Sequence, residues 1–250
     1  MSTPVPGFEP KLEELLISLI ADMVAKDRHI AVGAASPIPG SAALLAQSEA
    51  NHRMDVTVIQ SLRNNTFTDG GRELFDCAGQ GRIDTFFLGG VQIDGAANVN
   101  LIGVGDYPNL DKRFPGSFGS AFMYFVIPKV ILFREEHTPR TLVEKVDFIS
   151  APGTSPENVY RPGGPRALVT SKCVFAFDKS SGRFSLQSVH PGVTVEEVRA
   201  ATGFTFDEPA RIEATPCPSP ERLERIRQQI APSVAQFYPE FAARVWPRVG

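Results

Sequence analysis

Three short stretches carry residue types able to bind or activate a small molecule. Gly89-Gly90 follows an apolar run, and Gln92, Asp94, Asn98 and Asn100 come close behind. Paired glycines there let a backbone approach a ligand closely and donate N–H groups to it. The same residues also suit a plain turn, with the two asparagines satisfying loop backbone. A second stretch, Gly116-Ser117-Phe118-Gly119-Ser120, is a small-residue loop interrupted by one aromatic ring. The third is the end of an apolar segment at Val58-Ile59-Gln60-Ser61. Gln60 carries a primary amide, a weak nucleophile that can still hydrogen-bond a substrate or orient a water. The four histidines, His29, His52, His137 and His190, show no metal-ligand spacing. His137, in a charged turn, reads as a solvated strand end, whereas His29 and His52 flank strands without a recognisable partner. Neither a nucleophile elbow nor a phosphate-binding Walker sequence is present.

The elements that must position these residues follow from periodicity and punctuation. Leu12, Leu15, Leu16, Leu19, Ile20 and Met23 recur at helical spacing within 11–25, with Glu and Asp assigned to the opposite side. A strand is expected at 29–32, a helix at 41–49 capped by Ser41, a strand at 56–59, a helix at 73–79 and a strand at 85–88. This alternation implies βαβ units and a mostly parallel sheet, with ligands gathering at the strands' carboxyl ends. Residues 121–127 read as a short apolar helix or strand, and 130–133 and 146–150 as strands. A meander is expected over 167–170, 174–177 and 184–189. Thr194 and Glu197 form a capping box for a helix over 195–201, and Ser219 caps an amphipathic helix over 221–230.

The bulk properties narrow the class. At 250 residues and net charge −3, the chain is long enough for a sizeable core and lacks the basic face of a nucleic-acid binder. Cys77, Cys173 and Cys217 are widely separated and odd in number, which reads as three reduced, mostly buried thiols. No segment has the length of a membrane span or the form of a signal peptide, so a cytoplasmic protein is expected. The domain expectation is a single one over 1–250, with a flexible leader at 1–10 and a C-terminal extension at 231–250.

The succession GGxQIDxxxNVN, then Gly103-Val-Gly105-Asp106, then Phe114-Pro-Gly116-Ser-Phe-Gly-Ser120 resembles the B (β) subunit of class I CoA-transferases, of the glutaconate type. The likeness runs from about residue 20 to residue 230. It implies an α/β fold: an open, mostly parallel sheet with helices on both faces and an antiparallel C-terminal portion. It further implies a heteromer with an α subunit of related fold, assembled as α2β2, with the active site at their interface. The substrate would be an acyl-CoA, with coenzyme A entering only as part of it and no permanently bound cofactor. In that family the strand end at residue 60 carries a Glu whose carboxylate attacks the thioester, and the glycine-rich loop supplies backbone donors at the active site. Gly119 is then the expected oxyanion donor, and Gly89, Gly90, Gln92, Asp94, Asn98, Asn100, Gly116, Ser117, Phe118 and Ser120 are the expected CoA-binding set.

Two departures bear on the reaction. Phe118 stands where glutaconate-type enzymes have Gly; it narrows the pocket, stacks on a substrate ring, or simply packs. Gln60 replaces the nucleophilic Glu. It is an inert replacement, or it orients water or substrate, or a nearby acid (Glu49, Asp69 or Glu73) substitutes. Relatives lacking that Glu resemble steroid ring-opening hydrolases and acyl-CoA decarboxylases of this fold. The reading is therefore a hydrolase or C–C-cleaving variant; a true CoA-transferase and a non-catalytic structural subunit are the alternatives. Ala97 also departs from the Gly that the family tends to carry before its Asn, and a slightly different turn is expected there.

Overall fold

The computed structural model describes residues 9–247, so all but the last two residues of the expected leader lie outside it. Contacts divide the chain into two compact units, one of Met1–Gly70 with Pro216–Gly250 and one of Gly71–Thr215.

The first unit opens with helix α1 (Leu12–Val24), strand β1 (His29–Val32), helix α2 (Pro37–Glu49) and strand β2 (Asp55–Val58). β1 and β2 pair in parallel, His29 beside Asp55 and Val32 beside Val58. α2 starts four residues before the expected Ser41 cap. Pro37 and Pro39 stand in its first turn, where proline's missing N–H costs nothing. Ser41 is an interior residue whose hydroxyl donates back to the Pro37 carbonyl at 2.7 Å.

The second unit carries α3 (Gly70–Gly79, whose first residue falls at the boundary), β3 (Thr85–Leu88), β4 (Gln92–Ile93), β5 (Val99–Asn100), β6 (Gly103–Val104), β7 (Lys112–Arg113) and α4 (Ser120–Val126). Then come β8 (Lys129–Arg134), β9 (Pro165–Thr170), β10 (Cys173–Asp178), β11 (Arg183–Val189), α5 (Val195–Ala201) and β12 (Glu213–Ala214). β3, β8 and β9 pair in parallel. β9, β10 and β11 form the antiparallel meander, and β12 pairs in parallel with β11. Two small antiparallel ribbons, β4–β5 and β6–β7, stand apart from this sheet. The class is thus α/β with mostly parallel pairing and an antiparallel portion towards the C-terminus. α5 has its expected box: the Thr194 hydroxyl accepts the Glu197 N–H at 3.2 Å and the Glu197 carboxylate accepts the Thr194 N–H at 2.8 Å.

The chain then returns to the first unit as α6 (Pro220–Arg225), a π-helical turn at Ile226–Ile230, α7 (Ala231–Val234) and α8 (Pro239–Val245). Pro232 has no N–H for the carbonyl of Gln228, and the widened turn sits immediately before it. These helices revise the expected polar side of α1. Glu14 is fully buried, accepting from Arg227 at 2.7 and 2.8 Å and from the Trp246 indole at 3.1 Å. Burial alone would raise its pKa, but these donors and the Lys11 N–H hold it below the ordinary carboxylate value.

Two further expectations fail in the second unit. Residues 146–150 form no strand: the Ser150 N–H donates to the Val99 carbonyl of β5 at 3.0 Å and the next residue, Ala151, bridges to Val99, while the Ser150 and Asp147 side chains accept the N–H groups of Leu101 and Gly105. His137 is no solvated strand end: it is 4% exposed, with Nδ1 at 2.8 Å from the Thr170 hydroxyl and Nε2 at 2.9 Å from that of Thr202. Burial first, and Lys172 second, push its pKa from 6.5 to about 4.

A histidine kept neutral by the fold binds its proton in the unfolded chain first. Its contribution is complete above pH 6.5 and is lost as pH falls towards 4. That gap corresponds to about 3 kcal/mol. Urea denaturation between pH 7 and pH 4 is expected to show this decline, and His137→Gln should lower stability at pH 7 while flattening the slope.

Candidate functional site

Gln60 sits on an exposed turn just past β2. The turn is fixed from below: the Ile59 N–H donates to the Val32 carbonyl at 3.1 Å, and the Asn65 amide donates to the Ile59 carbonyl at 3.1 Å. Ser61 is buried, and its hydroxyl accepts the Asn64 N–H at 3.0 Å. Facing Gln60 within the same unit is the turn that follows β1. There the Ala35 N–H donates to Gln60 Oε1 at 3.0 Å. Only a carbonyl oxygen can accept that hydrogen, which settles the amide's orientation and turns its NH2 away from Ala35. Ala35 adopts φ +54°, a left-handed conformation that alanine takes at a cost of about 1 kcal/mol. The next amide, Ser36 N–H, donates to the Tyr238 hydroxyl at 3.2 Å. Ala35 carries no sequence signal of its own, because only backbone conformation brings its N–H to residue 60. Of the acids near Gln60 in sequence, Glu49 is committed elsewhere, to Arg222 at 2.6 Å and Arg225 at 3.0 Å.

In the second unit the Gly-Gly segment leads from β3 into the β4–β5 ribbon. A Cβ on Gly89 would stand 2.9 Å from the Phe133 carbonyl oxygen, and one on Gly90 2.5 Å from a Val99 methyl. The glycines therefore admit neighbouring chain. The polar side chains of the ribbon are likewise occupied. Asp94 Oδ1 accepts the N–H groups of Ala96 and Asn98 at 3.1 and 3.0 Å, and Oδ2 accepts the Asn98 amide at 3.1 Å. Buried Asn100 donates to Gln92 Oε1 at 2.8 Å and to the Gly103 carbonyl at 2.7 Å, and its own oxygen accepts from Ile102 at 3.0 Å. Gln92 passes its NH2 to Asp147 at 3.1 Å. With Asp147, these four side chains tie together the turns around the β4–β5 ribbon. Ala97 keeps the glycine-like turn rather than altering it: it is buried at φ +58°, with its carbonyl accepting the Tyr124 hydroxyl at 2.9 Å.

The small-residue loop ends at the N-terminus of α4. Gly116 has φ +102°, Phe118 has φ +43°, and the Ser120 N–H closes onto the Ser117 carbonyl at 2.8 Å. For a phenylalanine that conformation costs about 1–3 kcal/mol. Phe75 of α3, a residue with no distinguishing mark in the sequence, covers the loop. A Cβ on Gly119 would stand 2.0 Å from its ring, so any larger residue must displace Phe75. Among the described residues the Gly119 N–H makes no hydrogen bond, which leaves a backbone donor unspent.

His190 is tied to Thr215 at 2.8 Å and to the Thr170 carbonyl at 3.0 Å. His29 meets the Thr57 hydroxyl at 3.0 Å and His52 the Asp27 carbonyl at 2.8 Å. Cys77 and Cys173 are buried and Cys217 exposed, all three as free thiols. Among the described residues no group of three or more His, Cys, Asp or Glu side chains is arranged to hold a metal ion, and no helix is long and apolar enough to cross a membrane.

The family described as Coenzyme A transferase matches residues 14–201. Among curated proteins, the chain is 34% identical over 154 residues to the B subunit of the 3-oxoadipate CoA-transferase of Pseudomonas knackmussii, covering 59% of this chain and 58% of that one. It is 33% identical over 156 residues to the B subunit of the glutaconate CoA-transferase of Acidaminococcus fermentans, covering 60% and 58%. It is 30% identical over 165 residues to the cholesterol ring-cleaving hydrolase IpdB subunit of Rhodococcus jostii, covering 64% of each. The chain thus spans less than two thirds of the length of these relatives. Among solved structures, the glutaconate CoA-transferase of Acidaminococcus fermentans superposes with a TM-score of 0.79 at 23% identity, covering 92% of this chain and 97% of that one. The decarboxylase AibA/AibB gives 0.75 at 20%, covering 95% and 99%. Both likenesses concern the fold.

Removing the Asn100 side chain would strand the Gly103 carbonyl and the Ile102 N–H, and would leave the Gln92 oxygen with the Asp147 N–H at 3.0 Å alone. Asn100→Ala is expected to destabilise the chain by about 3 kcal/mol, measured by denaturant unfolding.

Proposed function

The chain belongs to the coenzyme A transferase family, and from that premise we propose that it is the β subunit of a heteromeric enzyme acting on acyl-CoA thioesters, with water as the nucleophile. The observation that carries this reading is Gln60. The position that the resemblance gives to an attacking carboxylate holds an amide, and its oxygen is already committed to the Ala35 N–H at 3.0 Å. An amide forms no glutamyl-CoA intermediate, because its oxygen is a weak nucleophile at neutral pH. Its NH2 remains able to donate to a water or to a substrate carbonyl.

The unspent Gly119 N–H suits a developing oxyanion: a backbone donor held by a fixed loop needs no reorganisation when charge appears. Neither group can take up a proton, so the general base belongs to the α subunit, and this chain alone is inactive. Relatives of both reaction types exist, CoA-transferases on one side and a ring-cleaving hydrolase on the other. The amide at residue 60 favours the hydrolytic, C–C-cleaving branch.

The test uses the co-expressed complex with its α partner, a panel of β-keto and dicarboxylic acyl-CoAs, and ¹⁸O-water, read by mass spectrometry with and without acetate. Label is expected in the acyl product without acetate. Acetyl-CoA appearing only with acetate would overturn the reading in favour of a transferase. No acyl-CoA binding at all would leave a structural subunit. In Gln60→Glu the carboxylate can still accept the Ala35 N–H, so acetate-dependent transfer is expected to appear in that variant.

A further inference from the structure

Phe118 is an exposed ring in a backbone conformation that phenylalanine avoids. Its φ is +43° and its side chain is 84% exposed, so burial within this chain does not repay the strain. Strain of this kind persists where the surroundings over-determine it, and it concentrates at ligand sites.

Two residues lie against the ring, and a third backs one of them. Gly71 lies against it: a Cβ there would stand 2.9 Å from Phe118 Cζ. Phe75 packs on its side, with centroids 5.1 Å apart and planes tilted by 39°. Phe122 meets Phe75 edge-on at 6.1 Å, bracing it from α4. The aromatic cluster thus fixes Phe118 from one side and leaves its remaining surface open. The adjacent residue is Gly119, whose N–H is the proposed oxyanion donor, and consecutive Cα atoms are about 3.8 Å apart. The nitrogen of that N–H is bonded to the Phe118 carbonyl carbon, so an acyl oxygen bound there would sit on the backbone that carries the ring.

We infer that Phe118 is a specificity-determining wall of the acyl site, selecting thioesters with an apolar, ring-bearing acyl group over short dicarboxylic ones. The inference rests on the acyl-CoA reading above. A benzene ring offers a carboxylate no donor and takes away its water, whereas an alicyclic body covers the ring at no polar cost. Covering about 80 Å² of ring at about 25 cal/mol per Å² corresponds to a preference of about 30-fold.

The experiment measures binding of cyclohexanecarboxyl-CoA and glutaryl-CoA to the assembled complex by calorimetry, for wild type, Phe118→Gly and Gly71→Ala, together with melting temperature and assembly by size-exclusion chromatography. Wild type is expected to prefer the alicyclic thioester by about 30-fold. Phe118→Gly should lose that preference while staying assembled and melting no lower, because glycine relieves the strain. Gly71→Ala, which displaces the ring without removing it, should lose part of the preference. Equal selectivity in all three proteins overturns the inference and leaves the acyl-CoA reading standing. Loss of assembly in Phe118→Gly with unchanged selectivity also overturns it, marking the ring as a subunit contact. Failure of every protein to bind either thioester overturns the acyl-CoA reading, and this inference with it.

Discussion

A buried irregular loop must give every backbone N–H and C=O a partner, and that constraint governs the second unit of this chain. Helices and strands meet it with their own ladders. The segment between β3 and β6 has only two-residue strands, so side chains do the work. Asn100 serves Gly103, Ile102 and Gln92, and Asp94 serves Ala96 and Asn98. Asp147, from the segment expected as a strand, accepts from Gln92 at 3.1 Å and from the Gly105 N–H at 2.9 Å. Breaking one member leaves several groups orphaned in low dielectric, which makes the motif costly to change whether or not it touches a ligand.

Among the described residues, three other than glycine take positive φ: Ala35, Ala97 and Phe118. Strain alone does not mark them as functional, and the contrast among them is instructive. Ala97 is buried and its polar atoms are spent on Asp94 and Tyr124, so its conformation serves a turn. Ala35 is exposed and gives its N–H to the side chain at residue 60. Phe118 is exposed and lies beside an unspent N–H. What separates the last two from the first is access to solvent joined to donors aimed at, or left for, something other than the chain's own packing.

Much of the fold was legible because local signals agreed with tertiary packing. The apolar runs at β3 and β8, the turn at Asp178–Gly182 and the Thr194–Glu197 box each specify their element with few residues. The failures came where distant chain reversed a local rule. Glu14 reads as a solvent residue on an amphipathic helix, yet Arg227 and Trp246, more than two hundred residues on, bury and neutralise it. His137 stands among charges in sequence, but Thr170 and Thr202 enclose it. Pro37 and Pro39 read as loop, although a helix's first turn accepts both. In the candidate site, residue 60 was visible as a chemical substitution. The Ala35 N–H that orients it and the Phe75 ring that shields Gly119 were invisible, since neither is encoded by residue type at a fixed spacing.

The exchange of carboxylate for amide at residue 60 alters more than nucleophilicity. A carboxylate would place a negative charge at the strand end, and any anion developing nearby would be opposed by it. With Gln60 that charge is gone, the side-chain oxygen is held by Ala35, and the exposed end of the amide is a donor. Gly119 likewise presents a donor. A donor of either kind is suited to stabilising negative charge on an enolate or a tetrahedral oxygen, and unsuited to generating it. Generation requires a base with a pKa near the working pH, which neither an amide nor a peptide N–H can supply. On the reading proposed above, the labour divides along that asymmetry: such donors would stabilise the charge, and a base on the α subunit would create it.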